Sequence, residues 1–235
     1  MLPQHIGIIL DGNRRFAREL MKRPWMGHKI GLEKSRQVLQ WACEKGIKYV
    51  TAYVLSLENL QTRPKKELRL ILKYLDEEMD NILGTTDHVI HKFSVKVRFI
   101  GRTHILPDLM QTKMKKVEEK TRKYDSHVMN IAIAYGGQQE LVDAMKKILI
   151  EGLAGVIKPS DLNETVLKEH LYTNGQPYPD MILRTGGEKR LSNFLPFQSA
   201  YSELIFTDTK WPALSKKEFD NTLKEFSNRQ RRFGH

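Results

Sequence analysis

The chain of 235 residues has one cysteine, Cys43, so it forms no internal disulfide and no cysteine-rich zinc site. No apolar run approaches the ~18 residues of a membrane span. Residues Met1 to Gln4 lack the charged-then-apolar layout of a secretory leader, and the expectation is a cytoplasmic protein. There is no H-E-x-x-H pair, no G-x-S-x-G elbow and no GxxxxGKS/T loop, which argues against zinc peptidase, α/β-hydrolase and P-loop nucleotide chemistry. Internal repeats, low-complexity tracts and long Pro, Gly or Ser linkers are also missing, so a single domain over residues 1–235 is expected.

What is present suits a folded core with a basic surface. Hydrophobic residues make up 40% of the chain and aromatics 9%, enough to exclude disorder. Lys and Arg number 39 against 28 Asp and Glu, a formal net charge of +11. Such a balance admits nucleic acid, an anionic membrane surface or a small substrate carrying phosphates. Short β-branched runs alternate with segments of helical period, the pattern of an α/β domain with a mostly parallel sheet. Six strands are predicted, at Ile6–Leu10, Tyr49–Leu55, Val95–Ile100, Met129–Tyr135, Met181–Arg184 and Leu204–Thr207. Helices are predicted at Ile30–Lys45, Lys65–Leu83, Leu106–Lys123, Gln139–Ile150, Asp161–Tyr172 and Lys216–Phe226, with Ser160 and Ser215 capping the last two. On the second of these, Leu68, Ile71, Leu72, Leu75, Met79 and Ile82 form an apolar stripe, whose ordinary role is core packing.

Ligands of an open α/β sheet sit at the carboxyl ends of its strands. After the first strand comes Asp11-Gly12-Asn13-Arg14-Arg15, a carboxylate, a glycine and two arginines where a helix starts. Arginines at a helix start bind anions, and an aspartate among them is relieved of repulsion if a cation such as Mg²⁺ bridges it to the anion; Asp11 as a simple helix cap is the equal alternative. The second strand ends in Ser56-Leu57-Glu58-Asn59 with Arg63-Pro64 beyond, which reads as well as a turn as it does a cleft lining. The fifth ends in Arg184 and a Gly186-Gly187 loop carrying Arg190 and Ser192, suited to a diphosphate because guanidinium forks grip phosphate oxygens and glycine lets backbone N–H groups come close. Glu203, beside the sixth strand, needs a metal or an arginine if buried. His28 stands alone before a helix and is by default structural.

Taken in order, these motifs resemble the cis-prenyltransferases, the undecaprenyl diphosphate synthase family. The resemblance rests on His5 to Ala17, Gly27-His28, Ser56 to Asn59, Asn130 to Gly137, Arg184 to Phe194, Glu203-Leu204 and Arg232-Phe233-Gly234, nearly the whole chain. It implies a six-stranded, mostly parallel sheet ringed by helices, with an apolar tunnel walled by the Lys65–Leu83 helix. It also implies a homodimer or heterodimer, the homodimer being expected here, and condensation of isopentenyl diphosphate with an allylic prenyl diphosphate. Part of the +11 charge is expected to serve peripheral contact with the membrane. By residue, Asp11 would hold Mg²⁺ and Glu203 would complete that metal site across the dimer. Gly12, Asn13, Arg14, Arg15 and His28 would grip the allylic diphosphate, with Arg23 and Arg63 as further candidates. Arg184, Arg190 and Ser192 would bind the isopentenyl diphosphate, Ser56 and Asn59 would lie near the reacting carbons, and Arg232 and Gly234 would reach the partner's site. Departures from the pattern are Arg14 in place of a common glycine, Pro24 where an arginine is usual, one extra residue before Arg63, and Leu60 in place of an aromatic. Two other readings compete. A non-catalytic subunit of the same fold would have lost the aspartate and arginine loops, which are kept here, and no nucleic-acid-binding motif supports a role for the charge in binding RNA or DNA.

Overall fold

The computed structural model describes residues 1–21, 23 and 25–229. Six strands, β1 (His5–Ile9), β2 (Tyr49–Ser56), β3 (Val95–Ile100), β4 (His127–Tyr135), β5 (Met181–Arg184) and β6 (Glu203–Phe206), form one sheet in the order β3-β4-β2-β1-β5-β6. Every pairing is parallel. β1 lies between β2 and β5, and all five of its residues are buried, as an apolar strand covered on both faces must be. The chain leaves β1 toward β2 on one side and later returns from β4 to β5 on the other, so the strand order reverses at β1 and opens a crevice beyond its carboxyl end.

Helices cover both faces: α1 (Asn13–Glu19), α2 (Met26–Glu44), α3 (Leu57–Thr62), α4 (Lys65–Gly84), α5 (Val89–Lys92), α6 (Asp108–Thr121), α7 (Gly137–Leu153), α8 (Glu164–His170) and α9 (Lys216–Asn228). The larger core packs Leu39, Met79, Met114 and Phe219 from the helices against Ile8, Ala52, Met129 and Leu183 of the sheet. A smaller core holds Ile9, Tyr53, Tyr135, Ile182, Phe194 and Leu195, with the Tyr53 and Phe194 rings stacked at 4.7 Å. Each of the fully buried Phe194 and Phe219 side chains stabilises the fold by about 1.5–3 kcal/mol.

The strand positions follow the β-branched runs closely, and Ser215 caps α9 as expected, its hydroxyl accepting from the Glu218 N–H while Glu218 reaches back to Ser215. The Ser160 cap is a correction. Pro159–Asp161 forms a short 3₁₀ turn instead, and α8 starts later, under Asn163, whose carboxamide oxygen accepts the Thr165 and Val166 N–H groups at 3.0 and 3.1 Å. Ser56-Leu57-Glu58-Asn59 is a helix start, not a turn. Ser56 is the N-cap of α3, accepting the Asn59 N–H at 3.0 Å. Among the described residues no helix is long and apolar enough to cross a membrane.

Candidate active site

Asp11 follows β1 and Arg184 ends β5, with Ile9 and Arg184 in register, so the pairing of two strands sets the carboxylate beside the guanidinium. Arg184 is only 4% exposed, a state a guanidinium tolerates only with partners. It donates to Asp11 Oδ2 at 2.9 Å, to Ser192 Oγ at 2.8 Å and to the Arg190 carbonyl. Arg15 approaches Asp11 Oδ1 at 3.4 Å from the first turn of α1, and Glu188 at 3.8 Å. The two sequence motifs are thereby joined into one cluster.

Backbone geometry supports it. Gly12 has φ +102°, and a Cβ there would meet Lys210 at 2.8 Å. Gly186 has φ +86°, and a Cβ there would come within 2.8 Å of Arg15 Nη2. Ser192 and Asn193 occupy the same left-handed region at φ 51° and 63° without being glycine, the kind of strain that persists only where surroundings hold it. What holds it is visible. Asn193 donates to Glu58 Oε1 at 2.9 Å and accepts from the Gln138 N–H at 2.9 Å, while the Tyr53 hydroxyl donates to the Ser192 carbonyl at 3.3 Å.

Beyond Asp11 lies an open polar cleft of about 260 Å³, lined by Leu10, Asp11, Gly12, Asn13, the arginines 14, 15, 18 and 63, and His28. The buried Glu67 of α4 gathers three of these groups, with His28 Nε2 at 2.9 Å, Arg63 Nη1 at 3.4 Å and Arg14 Nε at 3.6 Å. Burial lowers the pKa of His28, while its hydrogen bond to Glu67 works in the opposite direction. Burial also lowers that of Arg63, with Glu67 opposing. Among the described residues Asp11 is the one acidic residue of the cleft lining, with Glu67 behind His28, Arg63 and Arg14 and Glu188 at 3.8 Å from Arg15, so cations predominate and an arriving polyanion is favoured.

Leu10, Asn13, His28 and Arg63 also border a second cavity, of about 140 Å³, between α2, α4, α5 and the sheet. Its lining is mostly apolar. Ile71, Leu75 and Ile82 of the α4 stripe form one wall, Leu32 and Leu39 of α2 another, and Ala52, Val54, Met129 and Ile131 the floor. The Asn13 carboxamide donates to the Leu10 carbonyl at 2.8 Å, and its buried Oδ1 has no hydrogen-bond partner, leaving an acceptor free where cleft and cavity meet.

Several expected site residues lie elsewhere. Arg23 stacks over the Trp25 ring at 5.6 Å and does not line the cleft; Arg18, overlooked in the sequence, does. The Arg190 side chain is largely exposed and pairs with Glu188 at 2.6 Å, while its carbonyl serves Arg184. Ser56 and Asn59 sit at the carboxyl end of β2, outside the linings of both cavities. Within one chain Glu203 stands apart from this cluster. It opens β6, opposite Met181, whereas Arg184 and Asp11 lie at the other end of the same parallel pair, and its carboxylate is bound to Arg229 at 2.8 Å. Arg232 and Gly234 lie outside the described residues. Among the described residues no three His, Cys, Asp or Glu side chains converge as a metal cage. One carboxylate amid arginines suits Mg²⁺ carried in with phosphate oxygens, which typically needs only one or two protein carboxylates.

Comparison with known proteins agrees with this geometry. The Prenyltransf family model, undecaprenyl diphosphate synthase, matches residues 9–234. A tritrans,polycis-undecaprenyl-diphosphate synthase (geranylgeranyl-diphosphate specific) of Methanopyrus kandleri is 44% identical over 99% of this chain and 85% of its own length. An isoprenyl transferase of Thermus thermophilus is 42% identical over 99% of this chain and 89% of its own. Among solved structures, lavandulyl diphosphate synthase from Lavandula x intermedia, in complex with dimethylallyl diphosphate, superposes with a TM-score of 0.93 at 27% identity, covering 100% of this chain and 99% of that one.

Proposed function

From the premise that this chain belongs to the undecaprenyl diphosphate synthase family, we propose that it condenses isopentenyl diphosphate repeatedly onto an allylic diphosphate, forming a long cis-polyprenyl diphosphate for use as a glycosyl carrier lipid. The observation that carries this reading is the continuity of the arginine-lined cleft with the apolar cavity through Leu10, Asn13, His28 and Arg63. An allylic prenyl diphosphate has that division, an anionic head and a hydrocarbon tail. The names of the archaeal relatives make geranylgeranyl diphosphate our first choice of primer.

In this reading Arg14, Arg15, Arg18, Arg63 and His28 hold the allylic diphosphate, and Arg184, Arg190 and Ser192 hold the isopentenyl diphosphate across the Asp11 junction. Ser56 and Asn59, on the α3 turn tied to Asn193 through Glu58, bear on the reacting carbons by fixing the loop beside them. The allylic C1–O bond breaks with its electron pair leaving on the diphosphate, and the isopentenyl C3=C4 pair bonds C4 to that carbon. The C2 proton passes to an oxygen of the released diphosphate or to a basic side chain as the C2=C3 bond forms. Charge develops on the departing diphosphate, so arginines already in place around it stabilise the transition state without reorganising. Holding both substrates at one junction removes much of the entropic barrier to their meeting. Mg²⁺ held by Asp11 would neutralise further charge on the diphosphates.

Two features support assembly as a homodimer. Val142, Met145, Leu149 and Leu153 recur at three- and four-residue spacing on α7 with exposures of 40, 55, 63 and 82%, an apolar row a second copy could cover. Glu203 lies at the sheet edge opposite Asp11, so the metal role that the family resemblance implies for it would need the cleft of another chain. Part of the +11 charge suits transient contact with anionic membranes, where so apolar a product must be delivered.

The test is incubation with labelled isopentenyl diphosphate, Mg²⁺ and C10, C15 or C20 allylic primers in turn, with EDTA as control, followed by sizing of the dephosphorylated products. A ladder ending near one length, strongest with the C20 primer and abolished by EDTA, is expected. No incorporation with any primer would overturn the proposal in favour of a subunit that needs a partner.

A further inference from the structure

A charged cluster stands in the wall of the apolar cavity where the hydrocarbon would run. Glu78 of α4 accepts from Arg36 Nε of α2 at 2.9 and 3.0 Å and from Arg36 Nη2. His88, just before α5, joins it through Nε2 at 3.1 Å from Glu78 Oε1, while its Nδ1 accepts the Ile90 N–H at 3.2 Å. Because Nδ1 accepts, Nε2 carries the proton given to the carboxylate. Three separate elements thus meet on one carboxylate. His88 is buried, and the Glu78 side chain is 13% exposed. Burial alone would raise the Glu78 pKa, but the Arg36 and His88 hydrogen bonds outweigh it and hold the value at about 2, so the carboxylate stays ionised.

The position of the cluster gives it meaning. Arg36 lies roughly two turns beyond His28 on α2, and Glu78 about three turns beyond Glu67 on α4, so the cluster stands about 12–16 Å from the floor of the cleft by helix rise. Past it is a second chamber of about 20 Å³ between α4, α6 and the sheet, lined by Met79, Met110, Met114, Phe99 and Ile133. The two cavities share Leu75, Glu78, Ile82 and Ile131, so Glu78 is the charged group at their junction. Methionine side chains repack readily, and the inner chamber can widen around an entering chain.

We propose that the Arg36–Glu78–His88 cluster is a product-length determinant, an ionic divider that discourages the growing chain from entering the methionine-lined inner chamber. The inference deepens the prenyl-condensing reading and rests on it. Passage across the junction lays methylenes against a fixed ion pair, which has no favourable exchange to offer hydrocarbon. The same clasp ties α2 to α4 and keeps the junction narrow.

The experiment is product sizing, with one primer, for the wild type, Glu78→Leu, Glu78→Gln, Met114→Phe and the double variant Glu78→Leu/Met114→Phe. Leu has nearly the bulk of Glu, so a change in length reports loss of the ion pair, its charge and its clasp together, and not a smaller side chain at residue 78. Glu78→Leu is expected to move the main product up by at least one isoprene unit, and Glu78→Gln in the same direction. Met114→Phe, which fills the inner chamber, is expected to return the Glu78→Leu product toward wild-type length. Unchanged lengths in both Glu78 variants would overturn the divider, even if their melting temperatures fall, since a purely structural clasp would do only that. Lengthening that survives Met114→Phe would overturn the assigned route. Absence of product from the wild type would instead strike the underlying reading, so the two failures are told apart.

Discussion

Replacing Asp11 by Asn keeps the shape of the side chain and removes its charge. Two consequences can be separated. The Asp11–Arg184 pair is half buried, with Arg184 at 5% side-chain exposure and Asp11 at 31%, and Arg184 retains Ser192 and the Arg190 carbonyl as acceptors. Breaking a fully buried pair costs about 3–5 kcal/mol, but an amide oxygen can still accept from Arg184 and solvent reaches Asp11, so about 1–2 kcal/mol of stability is expected to go. Turnover should suffer more. If Asp11 is the carboxylate that brings Mg²⁺ to the diphosphates, its loss is expected to slow condensation by on the order of a hundredfold or more, about 2.7 kcal/mol of transition-state stabilisation. The assay is single-turnover incorporation of labelled isopentenyl diphosphate across a Mg²⁺ titration, beside a thermal melt that establishes the variant is folded. Wild-type turnover in a folded Asp11→Asn protein would refute the metal assignment. A lost rate with an unchanged Mg²⁺ midpoint would assign Asp11 to orienting Arg184 instead.

Three further outcomes are expected. Arg190→Ala should raise the KM for isopentenyl diphosphate more than that for the primer, and equal effects in steady-state kinetics would mean the two diphosphate sites are misassigned. Ile71→Trp, which fills the apolar cavity from α4, should raise the KM for a C20 primer tenfold or so while leaving inhibition by inorganic diphosphate unchanged, a loss of about 1.4 kcal/mol confined to the tail. Burial lowers the pKa of His5 from 6.5 to about 4. The unfolded chain therefore binds this proton first, and stability is lost as pH falls from about 6.5 to about 4, by about 3 kcal/mol in all. Urea unfolding across that range should show the slope, and His5→Gln should flatten it.

Much of the fold was legible because each strand is a short β-branched run, and a central parallel strand such as Ile6–Leu10 cannot be mistaken for an amphipathic helix. α3 was hidden because Ser56 and Asn59 suit a turn as well as a cap, and only the following turn of backbone decides between them. Glu67 was invisible for a deeper reason. A glutamate on a charged helix is ordinarily solvated, and its burial is imposed by His28, Arg63 and Arg14 from other elements. Arg18 was missed because the phase of α1 after Asn13 decides which of its arginines faces the cleft. The position of Glu203 was readable in principle, since a residue that precedes a parallel strand lies at the sheet edge opposite one that follows it. The apolar stripe of α4 was seen, but that Ile71 and Leu75 face a cavity while Met79 faces an inner chamber depends on gaps between elements that no periodicity records.

The central claim is that one amphiphilic substrate lies with its head among the arginines and its chain between α2, α4 and the sheet. Photo-crosslinking tests it most directly, with an allylic diphosphate carrying a benzophenone on its tail and peptide mass spectrometry of the adducts. The account predicts labelling within residues 26–44 and 65–84, suppressed by unlabelled allylic diphosphate. Labelling confined to other surfaces, or labelling within those segments that unlabelled diphosphate does not suppress, would contradict it.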